Sequence, residues 1–387
     1  MKQTFNEQTH SHEKTWFIIL ILASYILPAS STALQWRSDS SYGAEIEYTD
    51  NLFMVADSTT ADTYLYGDVN LRLIGQSDIR SIIIEGGVRL QRLQRTKQAN
   101  NEFYSAGLYY DDVYNWGSLA LSASYDEASI RTTDLFTIGT QPIFIFGKRR
   151  STSVQPLVEI DVNETNRLAL SAAYDKNRYD LNILTDYINY LLGIDWYYNV
   201  TENIEIDIQA LAQRYDSLDN LSDYDYGSTL IITDISSNDH WQIQVGGGIG
   251  YILRNYGQNY NTFLGLLRAT YEKEYSQYYS LAESSLQPTS TRGISHLTRI
   301  ILGYRHSISD ERIISTELSA SRSRLVDASP VYENDVLTFN LGYNGYLSEL
   351  LVWEIRYYFV NNRSSLDNRN RRSNSLFLSL TMEFDEQ

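Results

Sequence analysis

Three histidines, His240, His296 and His306, are the side chains best suited to move a proton at neutral pH. They lie far apart in sequence and show neither His-x-x-His nor His-Glu-x-x-His spacing, so they suggest no metal site. No serine sits two residues from any of them, the spacing that a hydrolase built on one face of a strand would need. His10 and His12 fall in an N-terminal leader, described below. Cysteine is absent, which removes thiolate chemistry and disulfides together. Gly246-Gly247-Gly248-Ile249-Gly250 is glycine-rich but lies in an alternating run and opens no helix, so it is not a phosphate loop. Its glycines suit curvature or close packing of a side chain instead. Carboxylates are plentiful, and two facing each other could share acid–base work. Among so many charges on one wall, however, such pairs arise by chance. The reading is therefore of a protein without a catalytic centre, a metal or a cofactor.

The spacing of the charges carries more information. In Ile204–Gln213, Glu205, Asp207, Gln209 and Gln213 alternate with Ile204, Ile206, Ile208, Ala210 and Ala212. A strand has period two, so one face of this ribbon is oily and the other wet. Trp241–Leu253 and Leu351–Phe359 continue the pattern for nine or more residues, which suits a tilted membrane strand. The wet parity collects Asp68 and Arg72, Glu85 and Arg89, Glu205 and Asp207, Glu317, and Glu354 and Arg356, all candidates to line a lumen. The oily parity collects Ile188, Tyr190, Leu192, Ile194 and Trp196, then Trp241, Ile243, Val245, Ile249 and Tyr251, then Leu351, Trp353, Ile355, Tyr357 and Phe359. A charge facing mid-bilayer costs about 2–4 kcal/mol for Arg or Lys, so the charges are expected on the lumen parity.

Polar turns recur near residues 76–78, 114–115, 163–166, 199–203, 236–239, 272–274, 309–311 and 347–349. The step is roughly 36 to 39 residues, with one of about 50, which fits two strands, a tight turn and a longer loop. Longer polar segments lie between them, at 94–101, 127–150, 175–186, 216–223, 284–293, 322–334 and 361–374. Counting strands from Tyr42 to Phe384 gives about 18, or 16 if the blurred strands near Tyr104–Tyr125 are misread. The fold expected is all-β: a single transmembrane, antiparallel, up-and-down β-barrel with short turns in the periplasm and long loops outside. Thirty-two tyrosines support this, because a ring with an apolar body and a polar tip suits the membrane–water boundary.

The 387 residues divide into a leader at 1–33 and a barrel at 34–387. Lys2 and Lys14 precede the apolar run Trp16–Leu27, and Ser31-Thr32-Ala33 offers a cleavage site, so 1–33 reads as a signal peptide. The net charge of −17 disfavours nucleic acid as a partner. Two loops carry further expectations. Within 127–150, Phe144 and Phe146 precede Lys148, Arg149 and Arg150, and the segment either folds inward to constrict the lumen or packs over the rim. Arg363, Arg369, Arg371 and Arg372 either meet anionic lipopolysaccharide or glycan, or are simply solvated.

The last strand alternates Leu376, Leu378, Leu380, Met382 and Phe384 with polar residues. It resembles the segment by which barrels are recognised for outer-membrane assembly, which implies the barrel assembly machinery as a partner. It departs from that pattern in the Asp385-Glu386-Gln387 that follows the phenylalanine. Tyr48-Thr49-Asp50-Asn51-Leu52-Phe53, at the end of the first strand, and the hairpin Gly303–Arg312 resemble the type-two β-barrel porins. These are outer-membrane barrels often associated with exopolysaccharide production and export. The resemblance implies an outer-membrane location among lipid and lipopolysaccharide and supplies no catalytic residues. The function expected is a passive, porin-like channel for a polar solute or a component of exopolysaccharide export. The alternatives are a plugged barrel that anchors envelope machinery and, more remotely, a secreted glycan-binding β-protein.

Overall fold

The computed structural model describes residues 34–54, 59–97, 100–130, 147–181, 184–218, 223–237, 240–254, 259–290, 293–326, 333–365 and 370–386. The leader, Phe144 and Phe146 lie outside the described residues. Eighteen strands follow one another: β1 (Gln35–Thr49), β2 (Asp62–Gln76), β3 (Arg80–Leu93), β4 (Asn101–Tyr114), β5 (Gly117–Ser129), β6 (Lys148–Asn163), β7 (Asn166–Tyr179), β8 (Tyr187–Thr201), β9 (Ile204–Ser217), β10 (Asp223–Ser237), β11 (Trp241–Arg254), β12 (Tyr260–Lys273), β13 (Ser276–Thr289), β14 (Gly293–Ser309), β15 (Arg312–Leu325), β16 (Glu333–Ser348), β17 (Leu351–Ser364) and β18 (Asn370–Glu386). Each pairs antiparallel with its sequence neighbours, and β1 also pairs with β18, so the sheet closes on itself. The count is 18, not 16: β4 and β5 are regular strands joined in unbroken register from Ser105↔Asp126 to Tyr114↔Gly117.

Short turns link the strands at one end and longer connections at the other. Strands run further toward the long-loop end than the sequence suggested. Residues 175–179, 284–289, 322–325 and 361–364 are strand, not loop. Lys148, Arg149 and Arg150 are likewise the first residues of β6, in register with Ser129, Ala128 and Glu127. Here both faces of the ribbon are polar, so alternation vanishes while the backbone ladder continues. Periodicity marks a strand only where its two faces meet different solvents.

The registers carry the face assignment round the ring. Residues in direct register share a face. Chains of pairs such as Asp68↔Arg89 and Arg72↔Glu85, or Tyr197↔Asp207 and Glu205↔Asp234, place all nine lumen candidates on one side of the sheet. The opposite side presents Leu192, Ile194, Ile249, Phe263, Ile300 and Leu378, all exposed. Tyr271 and Tyr278, in register across β12 and β13, and Tyr304 beside them form part of an aromatic belt at the short-turn end.

Charges do not keep to the inner parity everywhere. Arg80 and Asp112 share the outward face with Ile82 and Ile84, beside the turn between β2 and β3. They form a buried ion pair at 2.7 Å, and the hydroxyls of Tyr110 and Tyr114 also donate to Asp112 Oδ2. Arg322 and Asp335 pair outward at the long-loop end. Each outward pair sits near a strand end, where the cost of charge falls toward zero.

Adjacent positions on β9 test the parity. Ile206→Arg puts a charge on the outward face and should lower the stability of the barrel, whereas Asp207→Arg, set near Asp195, Glu205 and Asp234, should leave it folded. Heat-modified gel mobility of the two variants reads this directly, and equal losses would contradict the assignment.

Candidate functional site

The inner wall gathers its densest polar network where the first and last strands meet. Glu45 of β1 is the centre. Arg89 Nη2 of β3 lies 2.9 Å from Glu45 Oε1, and Arg356 Nη2 of β17 lies 3.5 Å from Glu45 Oε2. Arg89 also reaches Asp68 of β2 at 3.5 Å. The result is a row of alternating charge, Arg356–Glu45–Arg89–Asp68. Both guanidiniums lie over aromatic rings: Arg89 is 4.2 Å from the Tyr66 centroid and Arg356 is 4.5 Å from that of Phe377. One step further, Glu47 accepts hydrogen bonds from Tyr66 Oη at 2.9 Å and Ser375 Oγ at 3.0 Å.

This wall borders a cavity of about 730 Å³ that also touches Gln91, Phe103, Asn340 and Tyr358. Met54, in the connection after β1, is another lining residue. The chain turns inward there. Leu52 packs with Tyr64, Tyr66 and Leu93, and Met54 packs with Val336 and Val360. Met54 takes a left-handed φ of 49°, a strained conformation for a side chain of this size.

The motif Tyr48–Phe53 explains the inward turn. Asp50 accepts from the backbone N–H of Asn374 at 2.7 Å and from its side-chain amide at 2.6 Å. Asn51 donates to the carbonyl of Arg372 at 2.6 Å. The motif thus pins the end of β1 to β18 and releases Leu52 toward the interior.

Of the nine lumen candidates, Asp68, Arg89 and Arg356 meet in this network. The others are spread around the wall. Glu85 accepts from Tyr109 Oη at 3.0 Å and faces Arg72 in register. Glu317 accepts from Tyr279 Oη at 2.5 Å, and that ring lies flat on Gly303, leaving no room for a Cβ there. Glu354 lies beside Gly342. Glu205 is 3.9 Å from Arg167, and Asp207 is buried. Across β8, β9 and β10, Asp195, Glu205, Asp207 and Asp234 stand on the inner face near Arg167, so this wall is acidic.

Glu45 and Glu47 were not among the sequence candidates. Their signal was present, since they alternate with Ile46 and Tyr48. Of the basic segment, Arg150 lies on the parity opposite Ser151 and Ser153, paired with Glu127 at 3.2 Å and Asp180 at 3.1 Å. Lys148 is 3.5 Å from Glu127. Arg363, Arg371 and Arg372 belong to strands, Arg371 is buried, and Arg369 lies outside the described residues.

Two serine–histidine contacts appear across strands although none was visible along the chain. Ser284 Oγ lies 2.7 Å from His296 Nε2, and Ser276 Oγ lies 2.9 Å from His306 Nδ1. His296 stands in register with Arg324, not with a carboxylate that would orient a base.

These features define an 18-stranded closed barrel of the outer-membrane type. Its fold is similar to that of OccAB2 of Acinetobacter baumannii, with a TM-score of 0.53 and 11% identity, covering 91% of this chain and 98% of that one. It is similar also to Pseudomonas aeruginosa OpdK, solved with vanillate, with a TM-score of 0.52 and 8% identity over 92% of this chain and 100% of that one. Pseudomonas aeruginosa OccK5 gives 0.51 and 10% identity over 90% and 98% of the two chains. No family model matches the sequence, and no curated protein matches it.

Asp50→Ala removes two hydrogen bonds to a carboxylate and should lower stability by about 2–5 kcal/mol, seen as an earlier urea midpoint in detergent. Glu45→Gln should move the reversal potential in a salt gradient toward anions, and Arg89→Gln should move it toward cations. Equal reversal potentials for the two variants would remove the charge row from any part in selectivity.

Proposed function

We propose that the protein is a passive outer-membrane channel for small polar solutes and that it prefers cations. The observation that carries this reading is the charged inner wall, on which Arg356, Glu45, Arg89 and Asp68 border a cavity wide enough for a small solute. Around the ring, the acidic wall of β8–β10 tips the balance toward cations. Transport needs no cofactor and no bond-making step. Rows of opposite charge act by replacing a solute's water with fixed dipoles and charges.

The narrower version of this reading is passage of an exopolysaccharide. It rests on the sequence resemblance of Tyr48–Phe53 and Gly303–Arg312 to the type-two barrel porins. On this view the partners are membrane lipid, lipopolysaccharide, the barrel assembly machinery and a glycan. A plugged barrel that serves as a dock for envelope machinery is favoured by one observation: Leu52 and Met54 turn into the lumen and pack on its wall.

Planar-bilayer recording separates these. An open channel gives steps of conductance with a reversal potential on the cation side. Neutral and acidic oligosaccharides should then block the current if a glycan is the cargo. A folded barrel without conductance supports the dock and overturns the channel.

A further inference from the structure

We propose that the outward face of β6 and β7, at the long-loop end, binds a phosphate of the lipid anchor of lipopolysaccharide through Arg150, Lys176 and Arg178. The site rests on the long loops lying on the outer side of the membrane, and it is independent of what passes through the lumen.

The outward positions of β7 run Leu168, Leu170, Ala172, Tyr174, Lys176 and Arg178. Leu170 is exposed and stands in register with Ile194 of β8 on the lipid face. At the short-turn border of this oily stretch, Trp196 Nε1 donates to Asn166 Oδ1 at 3.1 Å. At the other border Tyr174 meets Tyr190 in register, with ring centroids 5.6 Å apart. Such amphipathic rings mark the edge of the hydrocarbon. Lys176 and Arg178 are the next two outward positions, so they stand at headgroup level. Arg150 of β6 is in direct register with Arg178, and Thr152 is in register with Lys176. Neighbouring strands lie about 4.8 Å apart and outward positions about 7 Å apart, so the three cations share one small patch.

Like charges in direct register repel, and the chain does not neutralise this set. Arg150 takes both nearby carboxylates, Glu127 at 3.2 Å and Asp180 at 3.1 Å, and Glu127 is shared with Lys148 at 3.5 Å. Among the described residues, Lys176 and Arg178 form no ion pair. Asp186 is the carboxylate near Lys176, and its Oδ1 accepts the backbone N–H of Tyr179 at 2.8 Å. Other outward cations at this end are matched within the chain: Arg92 with Glu102 at 2.9 Å, Arg214 with Asp216 at 2.7 Å and Arg322 with Asp335 at 2.7 Å. The β6–β7 set therefore calls for an anion from outside the chain. A phosphate ester fits it, because guanidiniums hold phosphate oxygens through paired N–H groups and an ammonium adds a point charge. Lipopolysaccharide carries phosphates at the base of its acyl chains, the depth at which Tyr174 and Tyr190 end the oily band. The whole chain has a net charge of −17, so attraction to an anionic lipid must be local.

Native mass spectrometry of the delipidated barrel in detergent tests the site, by titration with phosphorylated lipid A, dephosphorylated lipid A and phosphatidylglycerol. The wild type should hold phosphorylated lipid A at least about tenfold more tightly than the double variant Lys176→Gln/Arg178→Gln does. It should hold dephosphorylated lipid A no more tightly than the variant does. Arg322→Gln, which removes a cation already matched by Asp335, should bind as the wild type. Equal affinity of the wild type and the double variant for phosphorylated lipid A overturns the site. So does a wild type that binds phosphatidylglycerol as tightly as phosphorylated lipid A. Should the double variant not fold, as judged by heat-modified gel mobility, Arg178→Gln alone carries the same comparison. Conductance is recorded on the same samples. A barrel that conducts without this discrimination loses the site and keeps the channel; discrimination without conductance does the reverse.

Discussion

Every backbone N–H and C=O that faces hydrocarbon must find its partner inside the protein, and that requirement shapes this molecule. A sheet with two free edges fails the requirement. A sheet whose first strand pairs with its last satisfies it without any helix or second layer. The register Ser38↔Glu386 to Thr49↔Ser375 is therefore the contact on which the other sixteen strands depend. The remaining features follow from closure. The oily face must turn outward, the charges must turn inward or retreat to the rims, and the turns must lie outside the oily band. The ion pair of Arg80 and Asp112 shows the same rule at its margin, since it survives on the outward face at a strand end with hydroxyls and a guanidinium crowding one oxygen.

Much of this was legible in the chain itself. The alternation of Ile204–Gln213 assigned each residue to its face, and the spacing of the turns led to 18 strands. The same signal faded at the long-loop ends. Asp175–Tyr179 and Asn361–Ser364 read as loops because polar side chains point both ways, yet the backbone ladder continues through them. Glu45 and Glu47 alternate as cleanly as the lumen candidates, but their importance comes from neighbours more than 300 residues away, such as Arg356 and Ser375. Pattern along one strand cannot show which strands close the ring.

The interior is organised as opposed charge and not as oil. Arg356, Glu45, Arg89 and Asp68 hold one another in place across five strands, and aromatic rings flatten the two guanidiniums against the wall. Such a row needs no bulky filler to stay ordered, so the space in front of it remains available. The apolar cluster of Tyr187, Tyr215, Tyr226, Ile252 and Ile294 uses the opposite device, its side chains covered by their neighbours. One barrel thus carries a wet side and a dry side within a single circumference.

The clasp between Asp50 and Asn374 joins residues 324 positions apart in sequence. No short stretch of the polypeptide can make it, because its partners come from the first and the last strand. Ring closure is accordingly a long-range contact, made against the loop-closure entropy of nearly the whole barrel. The chain turn toward Met54 hangs on the same clasp, so the contact that closes the ring also sets the cover over the interior.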